Sequence, residues 1–326
     1  MRKRQLSQTF MDDLLNGCLN PLLKEVQEDD TLCLELRGNF DEPNQKDEAI
    51  NIYYRGGSLF KVKRVNNGYT ILFDTKYTEG QNITLDGKPN VDKAVSEISF
   101  YKRAMDKWFK KHLKMERELQ QFIVRENNNT NISNSTDYFI IDIEYAISEK
   151  ESATETYELD DLNGRFDMIA FRWLSTERNN NTKKNVSLSL IELKYGDGSY
   201  GGTAGIEKHL KDFKLFLDNK KRVQAFCEDM AMVFKQKCAL GLVKDFTEEK
   251  GNIKINDNDT EAVFIFANHN PKSDALKNVL APIEQKDYIF PIKVARASMM
   301  GTCLHIRNMM DFEDFKNKVI VEDGRK

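Results

Sequence analysis

Gly164-Arg-Phe-Asp167-Met-Ile-Ala-Phe171 and Leu188-Ser-Leu-Ile-Glu192-Leu-Lys194-Tyr-Gly196 are the two stretches whose reading decides the fold. Each is a run of aliphatic and aromatic residues, and the Asn-rich Arg178-Asn-Asn-Asn-Thr182 between them reads as a loop, so the pair predicts a hairpin of strands. Side chains alternate along a strand, which puts Glu192 and Lys194 on one face with Leu188 and Leu190. Asp167, on the neighbouring strand, lies on the face that carries Ile169 and Phe171. An acid and a lysine continuing an apolar row are costly to bury unless something pairs with them. A divalent metal and a phosphate would do so. Two carboxylates and an ammonium at one sheet end make a hard-metal site with a cation that orients water or stabilises charge developing on a phosphoryl group. This is the chemistry of phosphodiester hydrolysis.

A chain of 326 residues is ample for one large core and more readily holds two domains. Hydrophobic residues are 40% and charged residues 31%, an ordinary composition for a soluble protein. The net charge of −3 removes overall basicity as an argument for nucleic acid, so any such contact must come from local patches. No apolar run reaches membrane-spanning length, and Met1-Arg-Lys-Arg is not followed by an apolar signal core, so a cytoplasmic protein with no membrane partner is expected. The five cysteines are odd in number, scattered, and include no C-x-x-C, which argues against both a disulfide framework and a zinc site. Three Asn-x-Ser/Thr sequons between Asn128 and Thr136 read as a polar loop.

Taken in order, residues 5–27 carry leucines at helical spacing, and Thr31–Leu36 opens a set of strands. Ala49–Tyr54, Ser58–Lys63 and Gly68–Phe73 follow, separated by Arg55-Gly-Gly57 and Asn66-Asn-Gly68, and predict an antiparallel meander. This N-terminal α+β module, 1–93, carries no motif for a chemistry; Arg55, Lys61, Lys63 and Arg64 are expected to blunt a sheet edge. A second domain, 94–326, begins with a long helix from Val95 to Glu126. Glu116 falls on its apolar side by its spacing from Phe109, His112, Leu113, Leu119 and Ile123, and a carboxylate there needs a partner. The strand Tyr138–Ile147 sets Phe139, Ile141, Ile143 and Tyr145 on one face and Asp142 and Glu144 on the other. After Lys194 come the glycine-rich loop Gly196–Thr203, a helix from Ala204 to Lys237 that carries His209, and a buried-type strand, Glu261–Ala267. A helix over Lys272–Leu280, a strand over Tyr288–Val294 and a helix over Asp311–Val319 complete the chain. Lysine clusters at 107–114 and 208–222 offer local phosphate contacts, whereas His269 and His305 lack an acid or cysteine at ligand spacing and read as structural.

At these residues the chain resembles the PD-(D/E)XK nuclease superfamily, whose signature is an Asp on one strand and Glu-x-Lys on the next. Asp167, with Phe166 in place of the proline, and Glu192-Leu193-Lys194 match it. Glu116-Arg-Glu-Leu119-Gln resembles the E-x-x-L-Q helix before the first core strand, and His209-Leu-Lys-Asp-Phe213 the Q-x-x-x-Y helix of several families, with His for Gln and Phe for Tyr. The likeness covers residues 95–295 and implies a restriction-endonuclease-like α/β core of helix, three strands, helix and strand, a mixed sheet flanked by helices. It implies that Asp167 and Glu192 hold Mg²⁺ or Mn²⁺, with Glu116 a further ligand through water, and that Lys194 orients or deprotonates the attacking water. His209 is either a phosphate or water contact or an interior histidine; Glu144 is either near the same metal or at a solvated sheet margin; Glu116 either organises the metal or pairs with a base such as Lys194 or His112. The activity implied is hydrolysis of nucleic acid, DNA before RNA, to a 5′-phosphate product, in restriction, defence or repair. The competing class is a nuclease-like fold kept as an inactive binding or regulatory protein, and oligomeric state, a homodimer included, is left open.

Overall fold

Arg55 and Gly56 both hold left-handed backbone, φ 49° and 71°. This is the geometry of a two-residue turn whose twist matches the strands it joins. It connects β2 (Ala49–Tyr54) to β3 (Gly57–Val65). With β1 (Leu32–Arg37) and β4 (Gly68–Leu72) they form an antiparallel four-stranded sheet in sequence order, as the turn signals predict. The computed structural model describes residues 3–38, 48–66, 68–128, 136–146, 165–179, 186–243, 251–270, 273–297, 306 and 309–322. Cys303, His305 and most of the sequon segment lie outside them.

The protein is a mixed α/β chain with two sheets, and it divides into two compact units. One comprises residues 2–125 with 229–253, the other 126–228 with 254–326. The expected boundary at 93/94 falls inside the first unit. There, α1 (Gln8–Leu15) and α2 (Asn20–Glu28) replace the single helix expected over 5–27, the break lying at Asn16-Gly17 before Pro21. The long helix expected over 95–126 is likewise divided, into α3 (Val91–Ser96), α4 (Ile98–Phe109) and α5 (Met115–Asn128). No proline or glycine marks the interruption at 110–114, so the apolar spacing ran on across a gap; Leu113, counted on the buried stripe, is 67% exposed. Arg55 lies between Asp106 and Glu118, at 2.8 and 2.9 Å, so it ties the turn to helix acids rather than blunting a sheet edge, and β3, which carries Lys61, Lys63 and Arg64, is paired on both sides.

The second unit holds a six-stranded mixed sheet. β5 (Tyr138–Ala146), β6 (Arg165–Arg172) and β7 (Ser187–Tyr195) are antiparallel neighbours, and the connection from β6 to β7 contains a short helix, α6 (Ser175–Asn179), where only a loop was expected. After α7 (Ile206–Leu217) and α8 (Lys220–Ala239), β8 (Asn256–Ala267) enters parallel to β7. The helix expected over 204–237 is thus broken at Asp218-Asn219. α9 (Ala275–Leu280) precedes β9 (Ile292–Ala297), which is parallel to β8 and starts after Pro291 rather than at Tyr288. The two-residue β10 (Met310–Asp311) and α10 (Phe312–Glu322) complete the unit. β7 is buried along eight of its nine residues, which its Leu and Ile content on both faces explains. Rings from α7 close the core: Phe213 lies 5.3 Å from Phe166 and 5.6 Å from Phe264, and Phe216 lies 5.0 Å from Phe226 of α8.

Candidate active site

The pairing of β6 with β7 runs from Arg172↔Ser187 to Met168↔Ile191, so the next step sets Asp167 opposite Glu192. The register, extended one step, thus sets the two positions opposite each other although they are remote in sequence. Asp167 is half-buried, and its Oδ2 accepts the Leu193 amide at 2.8 Å, which ties the Asp strand to the Glu-x-Lys strand at the candidate site. Glu192 and Lys194 share a face as expected, and Lys194 Nζ donates to Glu192 Oε1 at 2.7 Å. The same ammonium donates to the Ala204 carbonyl at 2.8 Å. Both side chains are deeply placed, the residues being 2% and 3% exposed, so the pair is a buried one with its charges matched.

His209, on the first turn of α7, brings Nε2 to 2.9 Å from Glu192 Oε1. Burial, and after it the Lys194 ammonium, hold this imidazole down to about 4, against the pull of Asp167 and Asp212. Near neutrality it is uncharged and donates Nε2–H to the carboxylate. His209 is thus largely buried and in contact with Glu192. Asp212, a turn further along α7 and also buried, pairs with Lys208.

Glu144 stands across from Asp167, between the paired steps Ile143↔Met168 and Tyr145↔Phe166. Its backbone is left-handed, φ 53°, and its carboxylate binds Arg165 at 2.7 Å. A bulge between Ile140 and Asp142 shifts the register, so the simple alternation expected along this strand fails: Asp142 is fully buried and accepts the Ile143 amide. Glu116 is half-buried in the first turn of α5 and belongs to the other compact unit, and the break at 110–114 removes the helical face on which it was placed.

A second group, which sequence spacing hid, lies past the carboxyl ends of β7 and β8. His269 Nδ1 is 3.5 Å from Asp197 Oδ1 and 3.5 Å from the Tyr200 hydroxyl, so the acid that local spacing does not supply comes from beyond the end of β7. Asp197 also accepts the Asn270 amide at 3.2 Å, and its carboxyl sits below the ordinary value: burial raises it, but bonds from Ser273, Asn270 and His269 together outweigh this. Tyr200 is buried and lies over Phe266, ring centres 5.7 Å apart, and burial with Asp197 nearby pushes its hydroxyl up to about 12. The 72-residue separation of Asp197 and His269 gives no local pattern; only parallel pairing of their strands unites them.

Among the described residues, no group of three or more His, Cys, Asp or Glu side chains is arranged to hold a metal ion. Mg²⁺ asks for less, because it keeps several waters and is commonly held by one or two carboxylates with substrate phosphate. Two carboxylates at opposed positions on β6 and β7, oxygen donors both, suit such a hard cation in kind. No helix is long and apolar enough to cross a membrane among the described residues. Comparisons with protein-family models, with curated proteins and with solved structures give no match.

Proposed function

We propose that this protein is a metal-dependent nuclease of the PD-(D/E)XK type, acting on DNA before RNA. The observation that carries the reading is the convergence of Asp167, Glu192 and Lys194, 167 and 192 facing each other in register and the Lys194 ammonium at 2.7 Å from Glu192. The order α5, three antiparallel strands, α7 and a parallel β8 supports a restriction-endonuclease-like core around them. Asp167 and Glu192 would hold Mg²⁺ or Mn²⁺, which when bound neutralises charge on the phosphate oxygens. Lys194 is positioned from two sides, by Glu192 and the Ala204 carbonyl, to orient a water and to stabilise negative charge as the phosphodiester breaks. His209 fixes the Glu192 carboxylate. Glu116 enters the scheme by resemblance alone.

Incubation with plasmid, linear and single-stranded DNA in Mg²⁺ or Mn²⁺ tests this: wild type cuts and Lys194→Ala does not. Absence of cutting by wild type in every arm overturns it. One observation favours the inactive alternative, namely the near-complete burial of the Glu192–Lys194 pair, as in an ion pair internal to the fold. Thermal unfolding separates the two, since a cation bound to the folded form raises its stability. A nuclease gains in midpoint with Mn²⁺ and loses that gain in Asp167→Asn; an inactive scaffold shows no gain.

A further inference from the structure

We propose that His269, clamped by Tyr200 and Asp197 past the end of β8, binds a phosphate that flanks the scissile one in the substrate strand. This rests on the nuclease reading above and extends it from the reacting group to the run of the polynucleotide. In sheets with parallel strands, ligands lie in the crevice outside the carboxyl ends, which is where this group stands. Lys194 pairs with Phe266 in the β7–β8 ladder, and His269 follows three residues later. At about 3.3 Å per residue it lies at most about 10 Å beyond the Lys194 row. A phosphate seated at Glu192 and Lys194 does not span that gap, whereas the next part of the same strand does.

The ring is built for such a contact. Nδ1 meets a hydroxyl donor and a carboxylate acceptor together, each at 3.5 Å. In the neutral ring Nδ1 either donates to Asp197 or accepts from the buried Tyr200 hydroxyl, and the second arrangement leaves the proton on Nε2. In the imidazolium, Nδ1–H turns to Asp197 and Nε2 keeps its proton. The imidazolium, and the neutral tautomer with its proton on Nε2, therefore present an N–H donor at the opposite edge of the ring, on a side chain 11% exposed. The preceding residue, Asn268, holds left-handed backbone at φ 53°, a conformation that asparagine tolerates better than most residues and that turns the chain as it leaves β8. Arg296, paired with Phe266 on the far side, is exposed and adds positive charge on the same margin.

The test measures binding of a short fluorescent single strand by anisotropy, with Ca²⁺ replacing Mg²⁺, on wild type, His269→Ala and His269→Gln. The alanine variant is expected to bind about tenfold more weakly, and the glutamine variant, which keeps an N–H donor, to recover most of the loss. Replacing each phosphate in turn by an uncharged methylphosphonate then locates the contact: wild type loses affinity at a flanking position where His269→Ala does not. If wild type cuts DNA but the alanine variant binds equally well, or shows the same map, the subsite is wrong and the nuclease reading stands. If wild type neither binds nor cuts in any metal, the nuclease reading falls and the subsite with it.

Discussion

Lys194 and Glu192 illustrate how a buried ion pair constrains stability. Removing one partner of a buried ion pair strands the other charge, at a cost of about 3–5 kcal/mol. Lys194→Met is therefore expected to shift the urea midpoint strongly, and Glu192→Gln in the same chain to restore much of the loss, because the stranded charge disappears. Equal midpoints for the single and double variants would refute this. His209 adds a pH dependence whose sign follows from its value of about 4 against an unfolded value near 6.5. Between those values the unfolded chain binds more protons, so stability is whole above about pH 6.5 and falls as pH drops toward 4, by roughly 3 kcal/mol in total. Urea titrations across this range should show that slope in wild type and a flatter one in His209→Gln. At this scale the sequence was informative where chemistry repeats every second residue: Glu192 and Lys194 share a face as expected. It gave His269 only a structural reading, because nothing local ties a histidine to an aspartate in the turn after another strand.

Among the elements, the meander and the Arg55-Gly56 turn were legible because turn residues report backbone geometry directly. Gly56 shows why: its φ is 71°, and a Cβ there would meet the Arg117 carbonyl oxygen at 2.3 Å. Gly56→Ala is expected to cost about 2 kcal/mol or more, from the left-handed backbone and the clash with main chain together. A thermal midpoint unchanged by that substitution would contradict the turn as described. The helices were less legible. Apolar periodicity continued through 110–114 and 218–219, and helices that end without proline or glycine leave little trace in spacing, since tertiary packing decides the break. The bulge in β5 was equally hidden, for one extra residue reverses every face beyond it while the composition stays the same.

For the molecule as a whole, a boundary placed at 93/94 from the order of elements differs from the compact units, neither of which is a single stretch of chain. The first unit takes residues 229–253 back from beyond the candidate site. Lys237 Nζ reaches Glu35 at 2.8 Å, Gln236 bonds the Leu6 backbone at 2.8 and 2.7 Å, and Asp229 accepts the Arg4 amide. A fragment of residues 94–326 would keep Lys237 and Asp229 but lose these partners. It is expected to be poorly folded by circular dichroism and proteolysis, whereas the full chain is not; a fragment with cooperative unfolding would show the units to be separable. The crossings also order events in time. As the chain leaves the ribosome, Glu35 emerges some two hundred residues before the lysine that neutralises it. The meander must wait, incomplete, while the entire Asp167–Glu192 hairpin is translated, so the part of the protein made first is finished late.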